Sequence, residues 1–285
     1  MTGERNGQGL GPQLQGWRRR RRLTQLELAT AAGVSTRHLS FLETGRARPS
    51  RELVLHLAEH LDVPLRERNR LLLAAGFAPT YPETPIEAPE MDSVREAIDL
   101  LMRLHDPFPA LVMNSRFELV AANRAFGFLT QGIAPHLREP PVNLMRTALH
   151  PDGLARRVVN QAELRAHLLG RIQRRHLRTG DGHLAALADE VAAYPSPEGA
   201  APGVGAYPPQ TPAGPEPPPA MVFPVRLRHG DAELAFFTIT GTFDTPVDIT
   251  VAELSIESFF PADRATEAVL RSEARSWTDV GSSAR

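Results

Sequence analysis

The chain has 285 residues, room for two domains with separate cores, and a formal net charge of -1. With 0 Cys it offers no disulfide, no thiol nucleophile and no cysteine-ligated zinc or iron–sulfur site. No stretch approaches the ~20 apolar residues that span a bilayer, and MTGERNGQGLG lacks the apolar run of a signal peptide, so a soluble, cytoplasmic protein without membrane partners is expected. The near-zero charge hides an asymmetry. Residues 1–78 hold 13 Arg against 7 acidic residues, the remainder 19 Arg against 26. A basic head and an acidic body suit a head that meets phosphate and a body that does not.

Residues 1–9 read as a loose tail. A first helix follows, with Leu14 and Trp17 inward and the Arg18–Arg22 run at its end, placed to touch phosphate or to suit the helix dipole. Leu23 to Pro49 (LTQLELATAAGVSTRHLSFLETGRARP) then reads as two short helices and a basic loop. Leu26, Leu28, Ala29 and Ala32 form the apolar stripe of the first, Gly33 makes the turn, and Val34 fills the space between them. Ser35 caps the second helix, which runs to about Thr44. Leu39 and Leu42 face inward, leaving Thr36, Arg37, Ser40 and Phe41 outward or at the edge. A helix with a polar outer face held in this way is the reading element of a helix-turn-helix, which points to DNA. Helix four is expected from Ser50 to about Leu61 on Leu53, Val54, Leu57, Ala58 and Leu61. Helix five runs from after Pro64 to near Gly76, with Leu71, Leu72 and Ala75 inward. Residues 79–90 are a Pro-rich linker.

From residue 91 the pattern changes. Val94, Ile98, Leu101 and Leu104 mark a helix. ALVMN and RFELVAAN read as strands with a turn at Asn114-Ser115, and a helix follows from Asn123 to about Leu129. NLMRTALH reads as helical, and longer helices are expected from about Gly153 to Leu177 and from Asp181 to Ala193. Residues 195–219 hold ten of the 26 prolines and read as an extended, disordered insertion. Three strands come next: MVFPVRLRH, then ELAFFTITGTF with its apolar residues out of phase (a bulge or two-sided burial), then ITVAELSIESFF with Leu254, Ile256 and Phe260 on one face. A helix from Asp263 to Arg275 closes the domain and 276–285 form a tail. Strands, helices and then strands imply an α+β domain on one antiparallel sheet of about five strands.

Two resemblances rest on these segments. Arg22-Leu23-Thr24-Gln25, Leu28-Ala29, Ala32-Gly33-Val34-Ser35 and Leu42-Glu43-Thr44-Gly45-Arg46 with Pro49 resemble the Cro/C1-type (XRE family) regulators. That implies an all-α, five-helix, lambda-repressor-like domain over 10–78. The resemblance implies that Gln25 binds phosphate and braces the recognition helix, and that Thr36, Arg37, Ser40 and Phe41 face base edges. Ser35, His38, Arg46 and Arg48 complete the expected DNA-binding set. Several family members carry an amide where Arg37 stands; an Arg there favours guanine, and Phe41 is limited to a thymine methyl. Pro109-Ala110, Phe117 to Asn123, Asn143-Leu144, His150 to Leu154, Val159-Asn160 and Thr250 to Asp263 resemble the MmyB-like ligand-binding domain, which implies a PAS-like fold over 91–275 and a pocket for a small hydrophobic ligand such as a fatty acid.

Other patterns carry less. His56-Leu57-Ala58-Glu59-His60 matches a zinc spacing, but it lies on helix four with His56 turned to solvent, so no metal is expected. His150-Pro151-Asp152 has no nucleophile to serve, and Asp152 is read as the cap of the next helix. Glu253 and Glu257, four apart in an expected strand, read as surface carboxylates rather than an acid–base pair. No catalytic residue, enzyme activity or cofactor is expected. Phe117, Asn123, Phe126, Met145, His150, Phe236, Thr238, Phe243 and Ile256 are the residues expected around the ligand, and Arg124, Arg146 or His150 would meet an acidic one. The reading is a regulator that binds double-stranded DNA at a pseudo-palindromic operator as a homodimer and senses a small hydrophobic ligand; the alternative is a ligand-independent regulator whose second domain only dimerises.

Overall fold

A computed structural model describes residues 9–195 and 224–280, the last five without their side chains. The tail before Gly9, nearly all of the Pro-rich insertion and the last five residues lie outside the described residues. The chain divides into two units. One comprises the residues up to Pro85 with Arg175–Gly180 and Thr245–Ala252, and the other holds the rest.

The head has five helices: α1 (Leu10–Arg20), α2 (Gln25–Ala31), α3 (Thr36–Glu43), α4 (Arg51–His60) and α5 (Leu65–Ala74). Side chains set the starts of three of them. Thr24 and Glu27 form a reciprocal capping box on α2, Ser35 accepts from the His38 N–H, and Ser50 accepts from the Leu53 N–H. Leu14, Trp17, Leu28, Leu39, Leu42, Val54, Leu57, Leu61, Leu71 and Leu72 form the core. Leu26, expected in that core, is 64% exposed, because the buried side of α2 is the Leu28/Ala29/Ala32 face. Gly33 takes a φ of 64°, the left-handed conformation the turn demands. A Cβ on Gly11 would come within 2.3 Å of the Glu43 carbonyl oxygen, so only glycine lets α1 lie so close to the end of α3. The beginning of the Pro-rich segment is fastened to the head: the Asn69 carbonyl accepts from the N–H groups of Thr80 and Tyr81, and its amide donates to the Tyr81 carbonyl.

The body is α+β. Among the described residues its sheet has five antiparallel strands, β1 (Ala110–Met113), β2 (Leu119–Ala122), β3 (Val225–His229), β4 (Ala232–Gly241) and β5 (Ser255–Pro261), in the order β2-β1-β5-β4-β3. The chain's first and last strands pair centrally, so residues far apart in sequence line one sheet face. α6 (Asp92–His105) packs on one face through Ile98 and Met102 with Ala110, Val112 and Leu254. Leu101 and Leu104, which help mark this helix in the sequence, are 43% and 73% exposed, because the stripe that meets the sheet runs through Met102 instead. On the other face lie α7 (Arg124–Leu129), α8 (Leu144–Leu149), α9 (Gln161–Thr179), α10 (Gly182–Ala192) and the start of α12 (Arg264–Val280).

Three boundaries differ from the sequence reading. The long helix begins at Gln161, not near Gly153, because Val158 bridges Leu227 and Asn160 ties the N–H of Arg226 and the carbonyl of Pro224 to this segment. The stretch expected as a single last strand is split: Ile249–Glu253 is a short helix, α11, capped by Asp248, and only Ser255 onwards pairs. Glu253 and Glu257 therefore do not share a strand face. The out-of-phase apolar residues of β4 reflect two-sided burial, since Phe236 is in the core while Phe237 stacks on Phe260 across the sheet's other side. The last helix continues to Val280, past the expected end at Arg275.

Candidate functional site

Two sites emerge, one in each unit. In the head, α3 presents Thr36, Arg37, Ser40 and Phe41 on its outer side, with Arg37 exposed and the other three half-buried. Arg37 and Phe41 are one turn apart, and the guanidinium carbon lies 5.3 Å from the ring centroid. Stacking restrains the guanidinium and leaves its edge free to donate. His38 is half-buried behind the Ser35 cap. Beyond α3 the loop folds back, with the N–H groups of Arg46 and Ala47 both donating to the Phe41 carbonyl, and this leaves Arg46 and Arg48 exposed.

The end of α3 is anchored by a buried polar network, of which the sequence indicates only Gln25 as a brace. Arg18 Nε and Nη2 donate to the two carboxylate oxygens of Glu43 at 2.6 and 2.8 Å, and Gln25 Nε2 donates to Glu43 at 2.8 Å. Arg18 Nη1 also donates to the Leu23 carbonyl at 2.7 Å. Burial alone would raise the Glu43 pKa, but the hydrogen bonds from Arg18 and Gln25 outweigh it and hold the carboxyl below its ordinary range. In sequence Arg18 is one of five consecutive arginines placed to touch phosphate or to suit the helix dipole. It is buried, because position 18 is one turn beyond Leu14 and shares its face; that spacing was the available signal. Arg21, too, is engaged, donating to the carbonyls of Leu61 and Asp62.

His56 is exposed, as its place on α4 implies, but its ring is engaged. Its Nε2 lies 2.8 Å from the Ala32 carbonyl at the end of α2, where it closes one of the helix's unpaired acceptors.

In the body, the sheet and helices α7 to α9 line a cavity of about 200 Å³. Phe126, Met145 and Thr238 stand in its wall with Leu111, Met113, Leu129, Leu168 and Phe259. Phe117 and Phe236 are packed in the surrounding core but do not reach the wall. Asn123 caps α7, accepting from the Phe126 and Ala110 N–H groups and donating to the Phe108 carbonyl. Phe243 and Ile256 belong to the α6 side of the sheet, since β5 residues alternate between faces and Ile256 falls on the face opposite Glu257. His150 lies outside the wall, edge-on to Tyr194, and its Nδ1 accepts from the Asp152 N–H. Asp152 thus caps no helix; its N–H closes a local turn instead. His136, His150 and Asp152 bring their ligating atoms within 4.8 Å of one another, with His136 and Asp152 exposed.

None of the three cations expected to meet an acid lines the cavity. Arg146 is paired with Glu190 at 2.7 Å, and His150 and Arg124 lie elsewhere. The cation in the wall is Arg171 of α9, two turns from Leu164 and one from Leu168, which sequence reasoning placed only in a helix. It meets Glu257 of β5 through both Nη atoms, at 3.1 and 2.9 Å, with side chains 16% and 9% exposed. His167, also in the wall, is pushed below its usual pKa by burial and by the charges of Arg171 and Arg174, so it is neutral at pH 7. Thr147 of α8 lines the cavity as well, and its hydroxyl is buried with no hydrogen-bond partner. A hydroxyl left in this state costs about 1–3 kcal/mol.

Both units match known families. Residues 10–71 match the model of a helix-turn-helix domain, and residues 94–272 match that of the MmyB-like transcription regulator ligand binding domain. No curated protein matches the chain. Among the described residues no helix is long and apolar enough to cross a membrane. A helix-turn-helix head joined to this cavity-bearing domain, with the second match covering more than half of the sequence, makes the chain a member of the MmyB-like family of transcription regulators.

Proposed function

We propose that the protein is a one-component regulator that binds a pseudo-palindromic operator as a homodimer and changes its affinity when a small hydrophobic molecule fills the body. The observation that carries this reading is the largely apolar cavity in a chain that also bears a reading helix. In this reading α3 enters the major groove. Arg37, held over Phe41, directs its fork at a guanine, Phe41 meets a thymine methyl, and Thr36 and Ser40 reach neighbouring edges. Gln25, Ser35, His38, Arg46 and Arg48 fix the register on phosphates.

Dimerisation follows from coverage. One recognition helix spans too few base pairs, whereas two helices about 34 Å apart read both half-sites. The exposed Leu100, Leu101 and Leu104 of α6 offer an apolar face for a second copy to bury. The ligand acts only by its difference in affinity for the operator-competent arrangement and its alternative.

The test is affinity for the DNA upstream of the protein's own gene, measured across a salt series before and after extraction of the protein with organic solvent. A change on extraction, reversed by returning the extract, is the expected result. Tight binding indifferent to extraction overturns ligand control and leaves a regulator whose second domain only dimerises.

A further inference from the structure

The cavity's polar groups define what it can hold. Arg171 spends both terminal nitrogens on Glu257, and the neighbouring His167 is neutral, so the charged groups of the wall cancel. A carboxylate entering this space would lose its hydration, meet the Glu257 carboxylate and find Arg171 already engaged. The wall does, however, contain one group that lacks a partner: the buried Thr147 hydroxyl, which can both donate and accept.

Size narrows the class further. About 200 Å³ lies below the roughly 300–1,000 Å³ usual for drug-sized ligands and just above the ~150 Å³ engineered cavity that takes benzene. A long acyl chain would fill this space and extend out of its open side.

We infer that the ligand is a small neutral molecule, a single ring or a short chain bearing one hydroxyl or carbonyl, whose polar atom is bound by Thr147 while the Arg171–Glu257 pair excludes free acids. This rests on the ligand-sensing reading above and changes the fatty-acid expectation into a neutral one.

The experiment is calorimetric titration of the full chain, after solvent extraction, with n-octanol, octanoate and palmitate at pH 8, followed by operator affinity with each compound present. Octanol should bind at least about tenfold more tightly than octanoate, equal to ~1.4 kcal/mol. Thr147→Val, which keeps the side chain's shape, should remove most of that preference without changing affinity for octane. Glu257→Gln should release Arg171 and turn the preference towards octanoate. Should Glu257→Gln fail to fold, Thr147→Val still decides the matter. Tighter binding of octanoate or palmitate than octanol overturns the inference and leaves the sensing reading standing. Equal octanol affinity in wild type and Thr147→Val also overturns it. If no compound binds and operator affinity never moves, both the inference and the sensing reading fail.

Discussion

The head and the body satisfy their buried polar groups in opposite ways. In the head, Arg18, Gln25 and Glu43 complete one another, and Leu28, Leu39, Leu57, Leu61, Leu71 and Leu72 are fully buried around them. In the body, an ion pair faces an open space and the Thr147 hydroxyl has no partner. A closed network holds a reading helix at a fixed angle, which sequence recognition needs. An unfinished core leaves free energy for a ligand to supply, which sensing needs. Under the proposed function, rigidity serves the reading helix and incompleteness serves the sensing body.

Breaking the closed network should have the largest effect. Arg18→Ala strands the Glu43 carboxylate in the core and should cost about 3–5 kcal/mol of head stability, read as a lowered melting temperature. The same network predicts an acid response. Because the native Glu43 pKa lies below its ordinary value of 4.5, its stabilisation is complete above that value and is lost as pH falls through the native one. Glu43→Gln should flatten that part of the stability–pH curve, and an unchanged curve would remove Glu43 from the account.

The comparison of cores is sharpened by two matched truncations. Leu39→Ala in the filled head should cost about 3–5 kcal/mol, whereas Leu168→Ala in the cavity wall should cost only about 2, because that side chain already lacks contacts on one side. Equal losses in denaturant melts would contradict the contrast. At the DNA surface, Arg37→Ala should lower operator affinity by about 1–3 kcal/mol and relax preference at one position of each half-site. A loss spread evenly over all sequences would reassign Arg37 to phosphate. The smallest effect is expected from Gln25→Ala, about 0.5–1.5 kcal/mol, weakening every site alike because it removes one hydrogen bond to the Glu43 anchor.

The head was largely legible in the sequence because its signals are local. Helix caps at Thr24, Ser35 and Ser50 and the turn at Gly33 act within a few residues of themselves. What escaped was long-range: Arg18 reads as one cation in a run of five, and only its partner 25 residues away makes it structural. The body was legible as strands and helices but not as a site. Its cavity wall joins residues from both ends of the domain, so Phe126, Met145 and Thr238 were found while Arg171, Glu257 and Thr147 were not. Phe243 and Ile256 were misplaced because an apolar residue on a two-sided sheet carries no mark of which face it takes. The long helix and the last strand were drawn too long for the same reason: the ties of Val158 to Leu227 and of Asp248 to Thr250 depend on three-dimensional neighbours or on local capping that competes with pairing.

The central claim, that occupancy of the body's cavity sets the DNA affinity of the head, is tested most directly by filling the cavity from within. Ala148 stands in the wall, and Ala148→Phe would grow into the open space instead of into packed neighbours. Operator affinity of this variant and of the wild type should be measured before and after solvent extraction. The account predicts that the variant holds the ligand-filled affinity throughout, while the wild type shifts on extraction. A variant that shifts as the wild type does would contradict it.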